Sequence, residues 1–144
     1  MIVIDTNVLV YAHRRDSQWH SQASDCVRAL AESGAAWGIP WPCLHEFLAI
    51  VTHPRIYAPP SSLDQAIAQI EAWFEAPNVN VLGETSDHWD HLKPLLRSSK
   101  IVGGAVHDGR IAAMCVAHRA NELLTADRDF SRFPSLRIRN PLVA

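Results

Sequence analysis

The segment MIVIDTNVLV (residues 1–10) places a carboxylate, Asp5, directly after one apolar run and just before another. Ile2, Val3 and Ile4 form an unbroken β-branched stretch, the pattern of a short strand buried on both faces as in a parallel sheet. Buried acids are rare without a partner. An acid ending such a strand therefore needs either a neutralising group or a local role, and capping the helix that reads from Asn7 to about His13 is the local role available.

Outward from this segment, helical and strand patterns alternate. Trp19, Ala23, Cys26, Val27, Leu30 and Ala31 recur at helical spacing between Ser17 and Ser33, and Gly34 supplies the stop. A strand over 35–39 leads to a helix over 42–53, with Leu44, Phe47, Leu48 and Val51 on one stripe. The segment HPRIYAPP (53–60) is a proline-punctuated loop. Ser62 and Gln65 have capping-box spacing and open a helix whose buried face is read as Leu63, Ile67, Ile70 and Phe74. A strand over 78–82 follows, then a helix over 86–99 that Pro94 is expected to kink or divide. A glycine-bearing loop, IVGGAV (101–106), precedes an almost wholly apolar helix read from Asp108 to Ala120. Strands over 122–125 and 136–139 complete the chain. This alternation predicts one α/β domain over residues 1–144, with a parallel sheet covered on both faces.

Composition narrows the function classes. Apolar residues make up 48% and charged residues 19%, ordinary for a globular chain and wrong for disorder. No apolar stretch approaches the roughly 20 residues of a membrane span, and the N-terminus lacks a secretory pattern, so a cytoplasmic location without a membrane partner is expected. The three cysteines are scattered and the eight histidines form no HExxH or Cys/His cluster, which argues against disulfide and zinc frameworks. The net charge of −2 does not suggest nucleic acid, yet setting aside five candidate acids leaves 10 against 13 basic residues.

Those candidates are Asp5, Glu46, Asp108, Asp127 and Asp129. Ligands of parallel sheets bind beyond the carboxyl ends of the strands. Asp5 stands there after the first strand, and Asp127 stands there after the strand over 122–125. Asp108 opens a deeply packed helix, and Glu46 lies on the 42–53 helix. Taken singly, Asp108 reads as a helix cap, Asp127 and Asp129 as turn caps, and Glu46 as a solvated edge residue. Taken together, converging carboxylates repel and raise one another's pKa. A hard divalent cation with oxygen ligands relieves this, which suits Mg2+ or Mn2+, and such a site activates water for phosphodiester hydrolysis.

The blocks IDTNVLVY, WPCLHEFLAIVTHPR, VHDGRIAAMCVAHRANELLTADRDFSRF and NPL, in this order and spacing, resemble a PIN-domain ribonuclease, and more narrowly a VapC-type toxin of a toxin–antitoxin pair. The resemblance runs from residue 1 to about 141. It implies a three-layer α/β/α sandwich around a central parallel sheet of four to five strands. It also implies Mg2+-dependent endoribonuclease activity, with Mn2+ able to substitute, a homodimer, and inhibition by a VapB-like antitoxin. Promoter DNA is expected to be met only through the antitoxin complex. By position, the family acids fall on Asp5, Glu46, Asp108 and Asp127, with Asp129 beside the last. Asp5, Asp108, Glu46 and Asp127 are the expected metal ligands, and Thr6, Asn7, Thr125 and Arg110 the expected supporting groups. Arg128, Arg132, Arg137 and Arg139 read as a basic rim for RNA or as an antitoxin-facing surface. Trp37, Trp41 and Tyr57 read as core or interface. Two other classes remain open: a PIN-fold binding module acting through antitoxin and DNA, and another Mg2+-dependent phosphotransfer enzyme.

Overall fold

The computed structural model describes residues 1–143. Val3 and Ile4, adjacent on β1 (Ile2–Ile4), are both fully buried. Successive strand residues point to opposite faces, so the sheet has a layer on each side. Leu123 and Leu124 repeat the pattern on β4 (Glu122–Leu124). Between these strands run α1 (Thr6–His13), α2 (His20–Glu32), β2 (Trp37–Pro40), α3 (Trp41–Val51), α4 (Leu63–Phe74), β3 (Val79–Leu82), α5 (His88–Ser98) and α6 (Val106–Ala117). A two-residue β5 (Ile138–Arg139) follows β4. The sheet is parallel, in the order β3-β2-β1-β4-β5.

From β1 the chain steps outward to β2 and then β3, and the next crossover returns past β1 to β4. Parallel crossovers are right-handed, so reversing direction moves the crossover helices to the other face. Helix packing follows this rule: α1 rests on α2 and α3, α3 on α4, and α5 on α6. The architecture is therefore a three-layer α/β/α sandwich with five strands. The reversal point between β1 and β4 is where open α/β sheets leave a crevice at the strands' carboxyl ends.

Several local readings change. Helix α6 starts at Val106, not Asp108, because Gly103–Ala105 form a 3-10 turn that runs straight into it. Asp108 therefore sits inside the first turn and caps nothing. Helix α5 runs through Pro94 undivided. Helix α2 begins at His20, after a turn in which Trp19 N–H bonds Ser17 Oγ. On α4 the capping box of Ser62 and Gln65 is present, but the buried stripe is Ala66, Ile70 and Trp73. Leu63, Ile67 and Phe74, read as its buried face, are exposed. The small side chain of Ala66 faces inward, while the Trp73 ring packs on Phe47 at 4.9 Å. Trp37 is core and Trp41 is 44% exposed. No helix among the described residues is long and apolar enough to cross a membrane.

Phe47 anchors α3 between the rings of His13 and Trp73, fully buried. Phe47→Ala should lower unfolding stability by about 3–5 kcal/mol, the usual range for a buried aromatic cut to Ala, read as a reduced urea midpoint.

Candidate active site

Parallel pairing sets Ile4 opposite Leu124, so the residues leaving the two strands emerge side by side. Asp5 N–H donates to Leu124 O at 3.0 Å. Thr125 Oγ1 donates to Asp5 Oδ2 at 2.8 Å and accepts Asp127 N–H at 3.0 Å. Asn7 clasps the junction: its Nδ2 donates to Thr125 Oγ1 at 3.2 Å, and its Oδ1 accepts Ala126 N–H at 3.1 Å. Thr6 donates to Glu46 Oε2 at 3.2 Å. Asp5 occupies the N-cap position of α1, yet its side chain makes no capping bond, so its carboxylate is free for the crevice.

The crevice has a volume of about 450 Å3, and Asp5, Glu46, Asp108 and Asp127 all line it, with Thr6, Asn7 and Arg110. A larger cavity, about 810 Å3, lies between the end of α1 and α4. Its single acid, Asp16, is gripped by Arg14, so the smaller crevice is the chemical candidate. Asp5 is buried, Asp108 and Asp127 half-buried, and Glu46 exposed at the mouth. Asp108, Asp127 and Asp129 offer carboxylate oxygens within 4.8 Å of one another. Asp127 lines the crevice while Asp129 stays exposed beside it, its N–H bonded to Asp127 Oδ1. That bond is the turn cap read from the sequence, and it leaves Asp127 Oδ2 for other work.

The electrostatics are one-sided. Burial pushes the Asp5 carboxyl up to about 6 from its ordinary 3.8, and Glu46 adds repulsion, against hydrogen bonds from Thr125, the Thr6 backbone and Cys43. Asp108 is raised as well, by desolvation first and then by Asp127, with Arg132 opposing. Arg110 is the one Lys or Arg lining the crevice among the described residues, and its Nε is paired with Glu84. Arg137 and Arg139 pair with Glu122 at the amino end of β4, away from the acids, so they form no rim here. Four carboxylates around a crevice that no unpaired Lys or Arg lines, among the described residues, fit a hard divalent cation.

Three lining or contacting residues escaped the sequence reading. His45 and His107 border the crevice. Cys43 donates its thiol to Asp5 Oδ1 at 3.5 Å, and burial keeps that thiol protonated, well above its usual range. Its position one turn before Glu46 was the available signal.

The PIN domain family model matches residues 2–136. The chain belongs to the PIN-domain family. Among its relatives, a VapC ribonuclease of Mycobacterium bovis is 34% identical over 99% of this chain and 96% of its own length. Ribonuclease VapC48 of Mycobacterium tuberculosis is 33% identical over 95% and 94%. This PIN domain is thus of the VapC type. The fold matches VapBC2 of Rickettsia felis bound to a promoter DNA fragment, with TM-score 0.71, 20% identity and 97% and 98% of the two chains covered. It also matches VapC20 of M. tuberculosis, a Sarcin-Ricin loop cleaving toxin, with TM-score 0.65, 18% identity and 91% and 93% covered.

The raised Asp5 carboxyl gives the PIN domain a pH signature. Folded Asp5 keeps its proton to about pH 6 and unfolded Asp5 loses it near 3.8, so the folded state binds more protons between these values. Metal-free stability should therefore fall as pH rises from about 4 to about 7. Asp5→Asn should flatten that slope in EDTA and be more stable at pH 7.5, by on the order of 3 kcal/mol. Denaturant melts at the two pH values measure it.

Proposed function

We propose that this chain is a Mg2+-dependent endoribonuclease, the toxin of a type II VapBC-like toxin–antitoxin pair. It acts in the cytoplasm as one PIN domain over residues 1–144 and inhibits translation and growth by cutting RNA. The observation that carries this reading is the arrival of Asp5, Glu46, Asp108 and Asp127, from four separate parts of the chain, in one crevice whose lining, among the described residues, includes no Lys or Arg but the paired Arg110. The relatives named VapC ribonucleases support it.

Asp5, Asp108 and Asp127 would hold the cation, with Glu46 at the mouth and Asp129 beside them. Bound there, a divalent cation would lower the pKa of a water and neutralise phosphate oxygens. Thr6 fixes Glu46 Oε2, which leaves Oε1 to orient the attacking water and accept its proton. The water oxygen bonds to phosphorus as one P–O ester bond breaks, and the departing oxygen takes a proton from solvent water. Thr125 and Asn7 keep Asp5 aimed into the crevice through this exchange. Arg110 reaches a substrate phosphate only by leaving Glu84.

Purified protein should cleave RNA with Mg2+ or Mn2+ and not with EDTA, and Asp5→Asn or Asp108→Asn should lose at least about 100-fold of that rate. Added Mg2+ should raise the melting temperature of the native chain far more than that of Asp5→Asn, by binding the folded state. A second reading, a PIN-fold binding module working through antitoxin and promoter DNA, draws on the DNA-bound complexes among the structural neighbours. Metal-dependent cleavage by the isolated chain separates the two. A different Mg2+-dependent phosphotransfer would show instead as turnover of small phosphate esters without RNA cleavage.

The proposed partners are RNA, a cognate VapB-like antitoxin and a second copy of the chain. Complexes titled toxin–antitoxin or VapBC among the neighbours support the antitoxin. The exposed apolar set of Leu63, Ile67 and Phe74 on α4, with Trp41 against Phe74, supports a protein interface. Light scattering at micromolar concentration should give a dimer, and Ile67→Asp should shift it towards monomer.

A further inference from the structure

Asp5 and Thr6 are consecutive, and Cys43 and Glu46 lie one turn apart on the same face of α3. Two hydrogen bonds link the pairs in opposite senses. Cys43 S–H reaches Asp5 Oδ1 at 3.5 Å, and Thr6 O–H reaches Glu46 Oε2 at 3.2 Å. Each acid of the β1–α3 pair is thus held by the neighbour of the other.

The two oxygens of Asp5 are held differently. Oδ2 receives Thr125, just after β4, at 2.8 Å and Asn7 of α1 at 3.4 Å. Oδ1 receives the side chain of Cys43, from the α3 side. Cys43 is completely buried, so no water replaces its donor cheaply. A thiol is a weak donor, which orients the oxygen while leaving lone pairs available to a cation.

We propose that Cys43 is a positioning residue: its thiol orients Asp5 Oδ1 and, with Thr6, fixes the spacing between the Asp5 and Glu46 carboxylates for cation binding. The proposal rests on the reading of the crevice as a metal-dependent nuclease site. Partner groups of this kind tune metal affinity without touching the metal. A purely packing role for Cys43 predicts something different, because volume and not hydrogen bonding would then matter.

The test compares the full-length native chain, Cys43→Ala and Cys43→Ser. Mn2+ binding to metal-free protein is read by paramagnetic resonance of the free ion, and RNA cleavage is read across Mg2+ concentrations. Cys43→Ala should weaken Mn2+ binding about 10-fold or more and move the Mg2+ midpoint by the same factor, with saturating Mg2+ restoring the rate. Cys43→Ser, which keeps a donor at similar volume, should stay close to the native protein in both. Equal loss in the two variants, or native affinity in Cys43→Ala, overturns the positioning role while leaving the nuclease reading intact. A native chain that neither binds Mn2+ nor cleaves RNA overturns both. If Cys43→Ala does not fold, the infrared S–H stretch decides, with the Cys43 band identified by its loss in Cys43→Ser. That band should lie below those of Cys26 and Cys115 and rise in Asp5→Ala, and a band that Asp5→Ala leaves unmoved overturns the proposal.

Discussion

Where β1 pairs with β4, Ile4 stands opposite Leu124 and both strands release the chain at the same level. Everything acidic in the crevice is placed by that pairing and by the crossover that makes it possible. Because the return from β3 to β4 runs over the opposite face, α6 approaches from one layer and α3 from the other. Glu46 and Asp108 thereby face each other across the strand ends, where Asp5 and Asp127 already stand. Sheet topology, more than any local motif, explains why acids remote in sequence share one space.

The same geometry sets an electrostatic cost that the scaffold does not relieve. Thr125, Asn7 and Cys43 donate hydrogen bonds to Asp5, but none brings a positive charge. The fully buried Val3, Ile4, Leu123 and Leu124 hold the strands beneath it rigid and dry. Desolvation therefore dominates, and the carboxyl is left with an elevated pKa that hydrogen bonds only partly offset. Active sites commonly keep such strain, because the group that relieves it is the one they exist to bind.

Much of this was legible in the sequence, and the failures have physical causes. The strands announced themselves as short apolar runs, and Asp5 was marked by ending one of them. The start of α6 was missed because Gly103 and Gly104 argue against helix, although with Ala105 they form a 3-10 turn that leads into it. On α4 two apolar stripes compete, and hydrophobicity favoured the bulkier one. Packing chose Ala66, Ile70 and Trp73, with a small side chain on the inner face. Pro94 sits in α5 without interrupting it, against its usual effect. Cys43 was invisible because a lone cysteine in an apolar stripe reads as filler, and only the fold shows which oxygen it faces.

Thr125 meets Asp5 across 120 residues of chain. Local helices can form early in synthesis, but the pocket cannot, since its second wall follows the first by 120 residues. A nascent or truncated chain that lacks β4 carries Asp5, Glu46 and Asp108 with nothing to close them into a site. Its crevice therefore stays unassembled until β4 has been made and paired with β1.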